Sequence, residues 1–138
     1  MIFTRLLPLE QQVLDALLAG DHPVLAALRE QLARVESFKR SLTGHGFYLD
    51  FQMPASMHGL HESYCVKPDF QFGDVSATLY PADQEAAFLL FVRDGKLSFL
   101  EGYVYDDEMH AMVDRVAIWY MNSERNMTEL ERTWSKES

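Results

Sequence analysis

Glu101 has the sequence setting that most suggests chemistry. In the segment 96–105, KLSFLEGYVY, alternate residues share one face of a strand if the pairing is regular. Glu101 then shares its face with apolar and aromatic side chains: Leu97, Phe99, Tyr103 and Tyr105. A carboxylate on such a face is either hydrogen-bonded to a tyrosine or poised with a raised pKa. The favoured interpretation is different: Gly102 marks a β-bulge, which turns Glu101 toward solvent.

The densest acidic cluster follows directly, at Asp106, Asp107 and Glu108, with His110 nearby. Three carboxylates and an imidazole can bind a divalent cation or transfer protons. Consecutive residues of a loop rarely converge on one point, so a solvated turn at the end of a strand is the favoured interpretation. A third interpretation makes the cluster an acidic surface that meets a basic partner.

His58, His61 and Cys65 lie in one loop, with a spacing that can place three ligands around zinc. A structural zinc site needs a fourth ligand, which must come from His45, His110 or a distant carboxylate. A nucleophilic cysteine needs a base and an electropositive pocket, and no local signature of that kind surrounds Cys65. We therefore expect no metal, no cofactor and a cysteine that fills a small apolar space.

The elements that position these residues follow from hydrophobic periodicity. Apolar residues recur at helical spacing in 8–19 and 22–38, and the short link between them predicts an antiparallel helix hairpin. Strands are predicted where apolar residues alternate or run continuously: 46–53, 72–80, 86–93 and 96–105. The segment 86–93 is apolar on both faces, which predicts a central strand.

Asp94-Gly95 is the strongest local signal in the chain. A two-residue Asp-Gly link between β-rich segments predicts a type I′ hairpin turn. Residues 54–70 are rich in Pro, Gly, Ser and His, which predicts a long loop. The segment 109–121 is ambiguous. Residues 116–121 are β-rich and can form a fifth strand, but a helix that starts in the preceding residues can also continue through them.

A short helix is predicted at the C-terminus, where Thr128 and Glu131 fit a capping box. The predicted fold class is therefore α+β. Its N-terminal antiparallel helix hairpin packs on one face of a four- to five-stranded, mainly antiparallel sheet, and a short C-terminal helix follows.

Composition indicates a single globular domain, 1–138. The chain has 138 residues, of which 48% are hydrophobic, and this is too apolar for a disordered protein. Its one cysteine excludes a disulfide within the chain and suggests a reducing compartment. No run of about 18 apolar residues and no signal-peptide pattern occurs, so we expect a cytoplasmic protein without a membrane span.

The net charge of −9 is unevenly distributed, with −2 in residues 1–70 and −7 in residues 71–138. An acidic surface repels phosphate backbones, so nucleic-acid binding is not expected. Solubility alone explains an acidic balance in many proteins. The sharper interpretation is a basic protein partner, attracted by the field of the acidic half.

Three segments resemble a family of small uncharacterised bacterial proteins: VLDALLAGDHPVLAALREQLA (13–33), GFYLDF (46–51) and FLLFVRDGKLSFLEGYVYDD (88–107). The resemblance covers residues 6 to 107 apart from the loop 54–71. It ends after Asp107, where the family usually contains Pro and Trp. It implies no catalytic residues. It also suggests the small acidic immunity partner of a bacterial toxin, an association by size, charge and type.

The leading hypothesis is a non-enzymatic binding protein, such as an immunity protein that neutralises a basic bacterial toxin domain through an acidic face. The residues of that face are Glu101, Asp106, Asp107 and Glu108. The alternative is a small-ligand-binding protein or an enzyme, with a site over the aromatic sheet face. The residues of that alternative site are Phe99, Glu101, Tyr103 and Tyr105. No nucleotide-binding, hydrolase or metalloprotease motif supports an enzyme, and a homodimeric accessory protein is a third hypothesis.

Overall fold

The computed structural model describes residues 2–106, 108–110, 112–121 and 124–135. Over these ranges the chain forms an α+β fold with three helices and one eight-stranded antiparallel sheet. The helices are α1 (Pro8–Leu17), α2 (Pro23–Ala33) and α3 (Met127–Ser135). The strands are β1 (Ile2–Phe3), β2 (Ser37–Leu42), β3 (Gly46–Gln52), β4 (Phe70–Phe72), β5 (Val75–Tyr80), β6 (Gln84–Arg93), β7 (Lys96–Val104) and β8 (Arg115–Tyr120).

The sheet is open and follows the order β1-β2-β3-β7-β6-β5-β8, with β4 paired to β6 beside this path. β6 pairs with β7, with β5 through its first half and with β4 through its second half. The prediction of a central strand at 86–93 is therefore confirmed. A strand with neighbours on both sides has its backbone groups satisfied, and its residues Phe88, Leu90 and Val92 are buried in the core.

The turn between β6 and β7 matches its prediction. Asp94 and Gly95 both have positive φ, 54° and 72°, and Arg93 pairs with Lys96 across the turn. These are the conformations that a type I′ turn requires. The tight turn makes β6 and β7 adjacent antiparallel strands.

Three strands were missed by the sequence analysis, so the predicted four to five strands are too few. The predicted helix 22–38 ends at Ala33, and Ser37–Leu42 instead forms β2. Phe38 of β2 pairs with Phe51 of β3 and is buried, so the packing of a long-range partner outweighs the helical pattern. β1 pairs with β2, and β4 begins at the end of the predicted loop 54–70.

The two N-terminal helices do not form a tightly packed hairpin. α1 packs against β5 and β8, whereas α2 packs against β7. A groove of about 950 Å³ lies between them, lined by Leu14 of α1, by Leu18 directly after that helix, and by Arg29 and Leu32 of α2. Each helix therefore buries its apolar side mainly on the sheet.

The ambiguous segment 109–121 contains a strand and not a helix at Arg115–Tyr120, where β8 pairs with β5. The short C-terminal helix is confirmed as α3, but it begins at Met127. Asn126, and not Thr128, caps it, because the Asn126 side chain accepts a hydrogen bond from the Glu129 amide at 3.1 Å. Among the described residues, no helix combines the length and apolarity needed to cross a membrane.

All three helices cover the same face of the sheet. The buried apolar residues form one hydrophobic cluster between that face and the helices. Trp134 of α3 is fully buried and its ring lies 5.6 Å from Phe70 and 6.0 Å from Phe72. No described helix packs on the opposite face, and that face carries the predicted site residues Phe99, Glu101 and Tyr103.

Candidate functional site

Glu101 lies on the uncovered face of the sheet, opposite Tyr48 of β3 and Leu89 of β6. The predicted bulge at Gly102 is wrong. Gly102 pairs regularly with Phe47 and Phe88, and a Cβ atom built on it would lie 2.5 Å from the Phe47 ring. Glycine is required there to make room for core packing on the covered side.

The bulge lies instead at Ser98, between two successive pairs of β6 and β7. Val92 pairs with Leu97 and Phe91 pairs with Phe99, so Ser98 is the extra residue. This shift places Leu97 on the covered side of the sheet, where it is only 2% exposed. The prediction that Leu97 shares a face with Glu101 is therefore wrong, while Phe99 keeps the predicted side.

We call the uncovered surface around Glu101 the aromatic face. It consists of Tyr48, Asp50, Leu89, Phe91, Phe99, Glu101 and Tyr103. None of these side chains belongs to the hydrophobic core. The rings of Phe91 and Phe99 are stacked with centroids 4.2 Å apart, and the Tyr48 ring meets Phe99 edge-on at 5.9 Å. The stacked rings give a preformed apolar surface with a carboxylate inside it.

Tyr48 and Glu101 interact across the pair of strands β3 and β7. A hydrogen bond to Glu101 raises the pKa of the Tyr48 phenol, and the negative charge of the carboxylate acts in the same direction. Tyr48 is 38% exposed, so the two groups remain accessible from solvent. A carboxylate and a phenol oxygen on adjacent strands can both accept hydrogen bonds from a cationic side chain.

The acidic cluster lies at the end of β7, and Asp107 falls outside the described residues. Asp106 and Glu108 are exposed, and we call them the acidic strand end. Tyr105 is exposed too, and its ring meets Tyr103 edge-on at 5.9 Å. This contact joins Tyr105 to the aromatic face, whereas Glu108 lines a cavity at the N-terminus of α1, on the covered side of the sheet.

Gln84, which the sequence analysis did not single out, holds the acidic strand end in place. Its side chain is buried at the start of β6 and donates to the Asp106 carboxylate at 3.1 Å and to the Glu108 carbonyl at 2.7 Å. Its amide oxygen accepts from the His110 amide at 2.9 Å. The only available signal was one uncharged polar residue at the start of an apolar strand.

His58, His61 and Cys65, the candidate zinc ligands weighed from the sequence, do not come together. His58 and His61 are exposed, whereas Cys65 is buried and its thiol donates to the Lys67 carbonyl at 3.1 Å. Among the residues that the structure describes, no three His, Cys, Asp or Glu side chains are placed to hold a metal ion. Burial raises the pKa of the Cys65 thiol, which favours the unreactive protonated form.

A cavity of about 610 Å³ opens beside the N-terminus of α1. Its lining is mainly apolar and includes Leu9, Leu42, Phe47 and Met109. Glu10 and Arg40 also line it, and they form a largely buried ion pair. The sequence analysis missed this pair, because its two members come from different elements.

In the part of the chain that the structure describes, the four best-formed concave regions have volumes of about 200 to 950 Å³, and none of them is lined by Phe99, Glu101, Tyr103 or Tyr105. The predicted ligand-site residues thus belong to a sheet surface and do not line any of these cavities. The chain matches no protein family model, no curated protein and no solved structure. Its function is therefore inferred from the geometry of the aromatic face and the acidic strand end.

Proposed function

We propose that this chain is a non-enzymatic binding protein that holds a basic protein partner against the aromatic face and the acidic strand end. The observation that carries the proposal is the position of Glu101 at the centre of an uncovered sheet face, among Tyr48, Phe99 and Tyr103. Aromatic anchors in contact with a charged group are typical of residues that dominate protein–protein affinity.

The charge at the centre of this surface, at Glu101, favours a cationic ligand, while Arg93 lies over the Phe91 ring at 5.1 Å. Glu101 faces Tyr48 and Leu89 in the strand register, so no basic residue lies directly opposite it in its strand pairs. Asp50 on the same face lies opposite Lys39, at the border with β2. An arginine of the partner can pair with the Glu101 carboxylate while its guanidinium plane contacts the neighbouring rings.

The acidic strand end begins where the aromatic face ends, with Asp106 directly after Tyr105 in the chain. Tyr105 connects it to the aromatic face, and Gln84 holds Asp106 and the main chain of Glu108 by hydrogen bonds. An ordered acidic surface loses less entropy on binding than a mobile one. Its field also raises the rate of encounter with a basic partner, at low salt above all.

A basic bacterial toxin domain is the partner class that we propose, with this chain acting as its immunity protein. The small size of the chain, its net charge of −9 and its segment resemblance support this class. Neutralisation by binding needs a stable scaffold and a complementary surface, and it needs no catalytic group.

The test is capture of the partner from the native host, followed by association rates over a salt series. We expect a basic partner and slower association for Glu101→Gln, with the largest difference at low ionic strength. Glu30→Gln is the matched control, because Glu30 is exposed on α2, on the opposite side of the sheet. An acidic partner, or equal rates for the two variants, contradicts the proposal.

A second candidate is small-ligand binding, and the observation that favours it is the cavity beside the Glu10–Arg40 pair. Its volume of about 610 Å³ falls in the range of small-molecule sites, and a buried ion pair in an apolar lining is a common feature of such sites. A thermal-shift screen with amphipathic carboxylates tests it. Leu42→Trp adds bulk to the lining and should abolish any shift, so an unchanged shift contradicts this candidate.

A further inference from the structure

β8 forms one edge of the sheet, and among the described strands it pairs with β5 alone. It contains six residues, Arg115–Tyr120, whereas β1 at the opposite edge contains two. A long edge strand presents a row of backbone groups to which another strand can pair. The two edges of this sheet therefore differ strongly in their capacity for strand addition.

The backbone groups of β8 that face outward can be identified from the hydrogen-bond repeat. Met121 donates its amide to the Asp74 carbonyl at 3.0 Å, which extends the β5–β8 pairing by one step. Hydrogen-bonded positions recur at every second residue of an antiparallel pair. The N–H and C=O groups of Val116, Ile118 and Tyr120 therefore point to the open edge, away from β5.

β8 lacks several of the features by which natural sheet edges avoid pairing. Its sequence, RVAIWY, contains no proline, and Val116, Ile118 and Tyr120 place no charge on the covered side. Large apolar side chains remain exposed at this edge, with Trp119 37% exposed and the adjacent Met121 55% exposed. Such a combination is typical of an edge that is covered by another strand.

We infer that β8 is a dimerisation edge, at which β8 of a second copy of this chain pairs in antiparallel register about a two-fold axis at Ala117. In this register Val116 lies opposite Ile118 of the second copy, and both have backbone groups that point to the open edge. Both residues also lie on the covered side of the sheet, so the faces of the two sheets continue into each other.

The charges of β8 favour a second copy in this register. Arg115 is the only charged residue of the strand, and it lies opposite Trp119 of the second copy, not opposite another arginine. The Arg115 guanidinium lies over the Tyr80 ring of its own chain at 4.1 Å, and in the dimer the indole of the second copy can cover its other side, twice by symmetry. The dimer contains one continuous sheet with two aromatic faces on the same side, and this inference does not depend on what those faces bind.

Solution mass, measured by light scattering on a size-exclusion column, tests the dimer. The wild-type chain should have twice the mass of the monomer, and Ala117→Lys should have the monomer mass, because the axis brings the two lysines together. Gln52→Lys is the matched control, since it adds the same charge to an exposed position of β3 far from the edge. It should remain dimeric. A monomeric wild-type chain, or a dimeric Ala117→Lys variant, overturns the inference.

A cysteine at the axis tests the register separately. Ala117 and its symmetry mate form a non-hydrogen-bonded pair in this register, with Cα atoms about 4.5 Å apart, which permits a disulfide. Ala117→Cys treated with oxidised glutathione should therefore give a covalent dimer, whereas Gln52→Cys should not. Cys65 is buried and should not interfere. Absence of the covalent dimer, or pairing of this edge with a different protein only, overturns the inference.

Discussion

Glu10 and Arg40 form an ion pair inside the fold, although they are 30 residues apart in sequence. Glu10 lies in the first turn of α1, where it also accepts a hydrogen bond from the Leu7 amide at 2.8 Å. Arg40 lies on β2, above the ring of Phe3 at 4.4 Å. The side chains of the pair are only 2% and 11% exposed, so the interaction joins the first helix to the sheet in a poorly solvated environment.

Loss of one member of this pair should be costly. Glu10→Leu leaves Arg40 as an unpaired buried charge, and we expect the free energy of unfolding to fall by about 3 kcal/mol. Arg40→Met should have a similar effect. The double variant leaves no unpaired charge and should recover most of the loss. Denaturant unfolding measures all three, and additive losses in the double variant would contradict a coupled pair.

Gly95 should be less replaceable than Gly44, although both have positive φ, 72° and 88°. A Cβ atom at Gly95 would lie 2.7 Å from the Leu60 amide nitrogen, whereas one at Gly44 has nothing within 4 Å. Gly44→Ala should therefore lower the free energy of unfolding by about 1 kcal/mol, which is the cost of holding an alanine at positive φ. Gly95→Ala should lower the free energy of unfolding, measured with denaturant, by clearly more, because its Cβ atom also collides with the backbone of Leu60. Equal losses would mean that the backbone of 59–60 moves aside without cost.

Gln84→Glu should destabilise the protein, although the two side chains have nearly the same shape. The carboxylate cannot donate to Asp106 or to the Glu108 carbonyl, and it adds a like charge beside Asp106. We expect a loss of about 1–3 kcal/mol at neutral pH. Faster hydrogen exchange at the His110 amide should accompany it. Gln71→Glu, at an exposed position of β4, is the control and should change stability little. Unchanged exchange at His110 would contradict the role of Gln84.

The pKa of Tyr48 should depend on Glu101. Glu101 raises this pKa above 10.0, so Glu101→Gln should lower it toward that value in an NMR titration of the ring. Because its pKa is higher in the folded state, the neutral Tyr48 phenol contributes to folding stability. This contribution is complete below pH 10, the unfolded pKa, and is lost as the pH rises through the folded pKa. Asp50→Asn is the control, because Asp50 lies on the same strand and does not cause the shift. A pKa that does not change in Glu101→Gln would exclude the interaction.

Local signals were sufficient for part of the fold. Pro8 at the start of an amphipathic segment specifies α1, and Asp94-Gly95 specifies the hairpin, because these residues restrict their own backbone conformations. β2 had no comparable signal. Its residues Lys39 and Arg40 interrupt the apolar alternation, and the strand is stabilised by its pairing with β3. Pairing energy of that kind comes from residues distant in sequence, so a local window does not contain it.

The sequence by itself determined the alternation along β7 that allows Phe99, Glu101 and Tyr103 to share a face, and only the regular pairing of Gly102 with β3 and β6 decided that they do. A period of two residues is a local property of extended backbone. Only the tertiary structure decided where the bulge lies, which side the helices cover and which residue holds the acidic strand end. Ser98 is a bulge because of its pairing with β6, and Gln84 reaches Asp106 from 22 residues away. These features depend on contacts between segments that are distant in sequence. Such contacts form, and stabilise the fold, only when the sheet is assembled.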